Sequence, residues 1–498
     1  MIHLPPISGR NWVLVAAVLA STISYIDESV VNVALPAIEA DLHASVAVMQ
    51  WLINAYTLSL AALVLVGGAA GDRFGRRRIF MVGVIVFAVS SLWCGLAGNI
   101  AQLIAARAVQ GIGAALLIPC SLALIGAAFD DSSRGKAIGT WAGCSAIAAA
   151  IGPLLGGWIV DHTSWRWIFL INPILALPTI VIVMRHVKES RDPEAKPGID
   201  WPGALLAFTG LGSLVFGLIA LSDQAWSGPI PFAAMGLGGV LLAAFVWVEH
   251  RGVNPMMPLK LFRSAIFSGV NLLTLFLYGA LAGAFFFLPF ALIQVHGYSA
   301  TAAGAVFLPF TIIMGVLSRW AGGLLDRFGA RLPLVVGPSV VAAGFALLAL
   351  LGNHPSYFVA FVLPIVVLAL GMTVAVAPLT TTVISAVPTH QSGVASGVNN
   401  AVAALAALLA VAGFGAVALW LFNTVLDSHM AGQTLAAAGK SELATVRGNF
   451  AATGLSVEGQ AIVRDALSHS IRIVMAIAAA IALAGAACSA VLIKNPSK

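Results

Sequence analysis

Asp27 and Glu28 stand side by side in the stretch Ser24-Tyr-Ile-Asp-Glu-Ser-Val-Val-Asn-Val-Ala-Leu-Pro-Ala-Ile38, which is otherwise suited to lipid. A charge at a bilayer centre costs roughly 2.5–3.5 kcal/mol even on lenient insertion scales. Read as a span over about residues 12–37, the run centres near residue 25. At 1.5 Å per residue, both acids then lie within about 5 Å of mid-depth. Neighbouring helical positions point about 100° apart, so the two acids need not face one cavity. Burial favours the neutral form of a carboxyl, and a nearby cation favours the charged form. An acid whose surroundings alternate between those conditions can take a proton on one side of a membrane and release it on the other. Recognition of a cationic solute is a second use for such acids, and a static ion pair or hydrogen bond is the structural alternative. Arg107 is the third charge of this kind, in the outer half of a later apolar run. A guanidinium keeps its proton at accessible pH and cannot carry one, but it can hold a neighbouring carboxylate ionised. Whether Arg107 faces Asp27, Glu28 or neither stays open at this level.

The elements that position these charges are membrane helices. Apolar residues make up 60% of the 498 and charged residues 9%, with mean hydropathy +1.00. A soluble domain carries about 25% charge, so a soluble protein is excluded. A spanning helix needs roughly 20 mostly apolar residues. Fourteen runs qualify, near 12–37, 48–70, 79–98, 101–128, 136–160, 165–185, 202–222, 230–249, 265–292, 299–324, 332–352, 356–384, 397–423 and 470–493. Eighteen of the 25 Lys and Arg fall on one side of the alternating connections, and the short connections of the other side hold one, Arg166. Basic residues mark the cytoplasmic side, so both termini are expected there. The net charge of +6 then reflects topology and not nucleic-acid binding. Cys94, Cys120, Cys144 and Cys488 lie within spans without ligand-like spacing, so no metal site is expected. The N-terminal run is too long for a cleavable signal and is expected to stay as the first span. Gly-Lys-Ser at 439–441 lacks the earlier glycine of a phosphate-binding loop, and H-E-x-x-H and G-x-S-x-G do not occur. An enzyme is not expected, and energy would come from an ion gradient.

An internal repeat organises the chain. Gly68-Ala-Ala-Gly-Asp-Arg-Phe-Gly-Arg-Arg77 and Gly322-Gly-Leu-Leu-Asp-Arg-Phe-Gly-Ala-Arg331 both fit G-x-x-x-D-R-F-G-x-R, 254 positions and eight spans apart. Six spans per unit with two inserted between the units satisfies both the interval and the total of fourteen, a build common among transporters. The expected division is 12–187, 201–249 and 264–493, with an extracytoplasmic segment at 424–469. The polar linkers 185–200 and 249–265 bracket the inserted pair.

These motifs resemble the major facilitator superfamily in its fourteen-span drug:proton antiporter branch, the EmrB/QacA-like exporters. Ile26–Pro36 looks like the span 1 signature, 68–78 the inner-loop motif, 107–115 the span 4 motif, 139–157 the span 5 antiporter motif and 164–172 the start of span 6. The resemblance implies an all-α membrane fold of two six-helix bundles with two extra helices, and alternating access without a cofactor. It implies export of amphipathic drug-like compounds in exchange for protons across a bacterial inner membrane. A periplasmic adaptor with an outer-membrane channel would be a compatible partner. Asp27 takes the family's acidic position, Glu28 a variable one, and Arg107 the coupling arginine. Gly68, Asp72, Arg73, Gly75, Arg76 and Arg77 would latch the inner gate, with Asp130 as the expected partner of Arg76. Asp326, Arg327, Gly329 and Arg331 form the second copy, degenerate at Ala330. Gly139, Gly143, Gly152, Pro153, Gly156 and Gly157 form the cluster the branch associates with antiport. Two departures bear on substrate and coupling. N-x-P-x-G appears as Asn172-Pro173-Ile-Leu-Ala176, and a span 13 arginine and glycine are replaced, near Ala404 and Ala407. A proton-linked transporter of one defined solute, working as exporter or importer, is the competing reading.

Overall fold

The computed structural model describes residues 9–191, 198, 200–221, 226, 228–252, 255–387, 392–431, 443–444, 446–447, 450 and 455–493. Every regular element among them is helical. In chain order these are α1 (Gly9–Leu42), α2 (Val46–Phe74), α3 (Arg76–Gly95), α4 (Ile100–Ala128), α5 (Asp131–His162), α6 (Trp167–His186), α7 (Trp201–Ala220) and α8 (Ile230–Arg251). There follow α9 (Ala265–Phe290), α10 (Ala300–Ala305), α11 (Leu308–Gly322), α12 (Leu324–Phe328), α13 (Arg331–Leu351) and α14 (Leu363–Ser385). The last two are α15 (Ser392–Ala431) and α16 (Val457–Leu492). Fourteen helical stretches are long and apolar enough to cross a membrane. The starts are chemically marked. Ser45, Asn99, Asp200, Ser264, Ser299 and Ser456 each accept a backbone N–H from the first turn of the helix they precede, satisfying a donor that the helix cannot.

Three spans differ from their expected outlines. The tenth, expected to run unbroken over 299–324, is divided, because Phe307 N bonds back to Gly304 O and Pro309 lacks the N–H that would continue the ladder. The last two are longer than 397–423 and 470–493: α15 and α16 carry their helices into both ends of the 424–469 segment.

Helices α1–α6 pack as one group and α9–α16 as another. Within each, glycines bring backbones into contact: a Cβ at Gly83 would sit 2.7 Å from Leu117 N, and one at Gly371 would sit 2.6 Å from Val341 N. Such small-residue contacts drive helix association where lipid offers no hydrophobic gain. The inserted α7 lies against both α2 and α15, and α8 packs on α7. With fourteen crossings, α1 begins and α16 ends on the same face, called here the terminal face. Among the described residues, the hydrogen bonds that cross between the two groups lie toward the opposite face. They join Gln50 to Val411 (3.2 Å), Gln294 and Phe450 to Glu39 (2.9 and 3.3 Å), and Ala300 and Thr301 to Asp161 (3.0 and 2.7 Å for the backbone donors). Toward the terminal face, a Cβ on Gly139 or Gly143 of α5 would meet nothing within 4 Å. The hydrogen bonds between the halves thus gather toward one face, and α5 is exposed at Gly139 and Gly143 toward the other.

Candidate functional site

The first helix places Asp27 inward and turns Glu28 away from it. Asp27 is 1% exposed, and so is Arg107. Arg107 Nη1 donates to Asp27 Oδ2 at 2.5 Å. Gln110 Nε2 and Asn172 Nδ2 both donate to Oδ1, each at 2.8 Å. One carboxylate thus collects donors from α4 and α6. Arg107 and Gln110, three apart on α4, share a face of that helix. The arginine is fixed independently of the acid. Its Nη1 also donates to Gln110 Oε1 (2.9 Å), its Nε to Leu52 O (3.4 Å), and its guanidinium lies 4.3 Å from the Tyr56 ring centre. Asn172 is held by a further bond to Ser91 Oγ (2.9 Å), which in turn donates to Phe169 O (2.9 Å). A buried pair with its remaining positions satisfied is worth keeping intact: losing one partner strands a buried charge at a cost of about 3–5 kcal/mol.

Glu28 is exposed although it lies in mid-span. It is within electrostatic reach of Tyr25, which in turn is within reach of Tyr278 on α9. Asn32, one turn further along α1, bonds the Glu28 backbone oxygen at 3.3 Å. Of two adjacent acids, one is sealed with a cation and the other is exposed.

The repeat motif folds as a helix–turn–helix joint. Gly75 has φ +116°, a conformation that favours glycine, and the Glu189 carboxyl lies against it. Asp72 Oδ1 accepts from Arg76 Nε at 2.8 Å and lies 2.8 Å from its Nη2 as an ion pair. The expected Arg76–Asp130 pair does not form. Asp72 sits one helical turn from Arg76 and claims it, while Asp130 faces Arg10 at 4.0 Å with side chains 86% and 54% exposed. Glu189, which sequence reasoning passed over, is the motif's other acid. It accepts from Arg77 N (3.0 Å) and lies 3.7 Å from Arg78, while Arg77 Nη2 reaches Met184 O (3.0 Å). Gly68 packs against Pro119, and the Arg73 guanidinium lies over the Phe74 ring at 5.4 Å. In the second copy, Arg327 is exposed, Gly329 has φ +70°, and Arg331 Nη2 donates to Ala490 O at 2.7 Å. The Asp326 side chain lies outside the described residues.

The span 5 cluster divides in two. A Cβ on Gly152 would collide with Ser29, one on Gly156 would sit 2.8 Å from Val30 Cγ1, and one on Gly157 would collide with Ala300 O. Pro153 O is in turn against Gly304 of α10. Gly139 and Gly143 border open space. The outer part of the cluster therefore joins α5 to α1 and to the other half, and the inner part does not.

Gln110 and Asn172 were the functional residues least visible beforehand. Gln110 had a signal in its i+3 spacing from Arg107, and Asn172 in being polar within an apolar run. Nothing in the sequence aims them at Asp27.

The sequence profile of the Major Facilitator Superfamily matches residues 17–411. Among curated proteins, the chain is 32% identical to multidrug resistance protein Stp of Mycobacterium tuberculosis over 84% of this chain and 77% of that protein. It is 34% identical to the puromycin resistance protein pur8 of Streptomyces alboniger, covering 89% and 87%. It is 36% identical to the cephamycin export protein CmcT of Amycolatopsis lactamdurans, covering 82% and 86%. Among solved structures, an inward-facing, unoccupied bacterial homologue of the human lysosomal transporter Spinster aligns with TM-score 0.69 at 18% identity over 98% of both chains. The D-xylose–proton symporter aligns with TM-score 0.63 at 15% identity, over 98% and 99%.

Proposed function

The chain belongs to the Major Facilitator Superfamily of membrane transporters, and on that premise we propose that it exports amphipathic, drug-like compounds in exchange for protons. The relatives named for multidrug resistance, puromycin resistance and cephamycin export support the export direction. One observation carries the coupling: Asp27 is sealed with Arg107 while Glu28, its neighbour, is exposed. Three donors converge on the Asp27 carboxylate, and protonation removes the charge that faces Arg107, so it weakens the pair. Arg107 keeps Gln110, Leu52 and Tyr56 when that happens, so releasing the acid leaves the cation seated. The arrangement described here, with the pair formed and the hydrogen bonds between the halves gathered toward the opposite face, suits the state that has shed its proton and awaits cargo. Glu28, with Tyr25 and Tyr278 nearby, offers a carboxylate and aromatic surface to a cationic or aromatic molecule.

The basic connections favour a terminal face in the cytoplasm of a bacterial cell. Loading then occurs from the cytoplasm, and a proton enters as cargo leaves. The energies suffice. A 100-fold cargo gradient costs about 2.8 kcal/mol, and one charge crossing 100 mV releases about 2.3 kcal/mol. Everted membrane vesicles test the reading, with collapse of an established pH gradient followed as candidate drugs are added. Drug-induced collapse in the wild type and its loss in Asp27→Asn support exchange through Asp27. If no compound moves protons, or Asp27→Asn and the Asp27→Asn/Glu28→Gln double variant behave as wild type, transport of one defined solute replaces this reading.

A further inference from the structure

Glu39 is a buried acid that the exchange reading does not use. It lies on α1 about three turns beyond Asp27, toward the opposite face, and is 1% exposed. Its partners are neutral. Gln294 Nε2 donates to Oε2 at 2.9 Å, and the backbone N–H of Phe450 donates to Oε1 at 3.3 Å. Among the described residues nearby, Asp41 accepts from Trp165 Nε1 and Arg166 Nη1, and Asp427 pairs with Arg447. Gln294 Oε1 is buried without a partner. Phe450 is fully buried, its ring 6.2, 5.7 and 5.1 Å from those of Phe287, Phe290 and Phe422.

The acid belongs to the N-terminal group of helices, and both donors belong to the C-terminal group. Gln294 follows α9, and Phe450 lies between α15 and α16. Both contacts therefore exist only while the halves are together on this face, where alternating access requires them to part. Asp161 at the end of α5 makes the companion contact, accepting from Ala300 N (3.0 Å), Thr301 N (2.7 Å) and Thr301 Oγ1 (2.5 Å). We propose that Glu39 is the latch of the opposite-face gate, fastening Gln294 and the Phe450 plug to α1 whenever that face is shut. A buried carboxylate without a cation and an unpaired amide oxygen are both unfavourable. The closed contact is thus held with little surplus, as a gate that must reopen requires.

The test is thiol accessibility. A variant with Cys94, Cys120, Cys144 and Cys488 replaced carries Asn32→Cys, one turn from Glu28 in the direction of Glu39. In vesicles, a membrane-impermeant maleimide is supplied from one face at a time. The parent should label from the terminal face. Adding Glu39→Leu should raise opposite-face labelling by about fivefold for each hydrogen bond lost, and lower terminal-face labelling with it. Glu39→Gln keeps an acceptor and should fall between. Unchanged opposite-face labelling would overturn the latch. So would a rise on both faces together, which marks a loosened fold instead of an exchanged opening. The inference rests on alternating access but not on proton coupling, because labelling reads the gate whether or not protons move. A parent labelled equally from both faces would remove alternating access and the latch with it.

Discussion

At the scale of the residue, the two acids differ because of what surrounds them and not because of what they are. Asp27 meets Arg107, Gln110 and Asn172, and Glu28 meets open space. Their types and depth were legible in the sequence, since a charge in mid-span demands an explanation. Their partners were not, because Arg107 is 80 positions from Asp27 and Asn172 is 145, and nothing local encodes which helix faces which. Arg107 also shows why charge alone is insufficient. Its planar fork serves Asp27, Gln110 and Leu52 at once and lies over Tyr56, and a lysine ammonium cannot match that pattern. A hydrogen bond to a charged group is worth about 1.5–3 kcal/mol, so Arg107→Lys should lower drug–proton exchange about tenfold or more. Quantifying the variant in the membrane fraction separates this from failed insertion. Asn172→Ala removes one neutral donor and keeps the ion pair, so its loss should be the smaller in the same vesicle assay.

At the scale of the element, spacing reveals that helices pack closely but not which partner they meet. The span 5 glycines read as one motif, yet Gly152, Gly156 and Gly157 are pressed against α1 and α10 while Gly139 and Gly143 are not. Forcing a side chain into a filled contact typically costs about 1–3 kcal/mol. Gly156→Val should therefore lower the melting temperature of the detergent-solubilised protein, and Gly143→Ala should leave it nearly unchanged. Equal effects would mean that the division of the motif is wrong. The inner-loop joint gives a similar contrast. Arg10–Asp130 is an exposed pair at 4.0 Å, and such pairs contribute about 0–1 kcal/mol. Asp130→Asn should be nearly silent in the melting assay. Asp72→Asn, which weakens the only carboxylate contact found for Arg76 among the described residues, should not be.

At the scale of the whole molecule, the six-plus-two-plus-six arrangement followed from the repeated Asp-Arg-Phe-Gly, while the task of the inserted pair did not. A helix that is apolar all round shows no preferred face, so nothing in 201–249 announces where it docks. The structure seats α7 across the seam between the halves, with Leu211, Val215 and Ile219 packed against Ala47 and Leu58 of α2 and Leu408 and Ala412 of α15. Among the described residues, none lies within 4 Å of a Cβ placed on Gly139 or Gly143 of α5. The seam under α7 is thus covered, while α5 is exposed at Gly139 and Gly143. A hydrophobic maleimide delivered within the bilayer tests this asymmetry. Gly143→Cys should label readily and Leu408→Cys slowly in the same cysteine-free background, and replacing Leu211, Val215 and Ile219 together by Ala should speed labelling at position 408 alone. Similar rates at both sites in the parent would mean that α7 shields nothing.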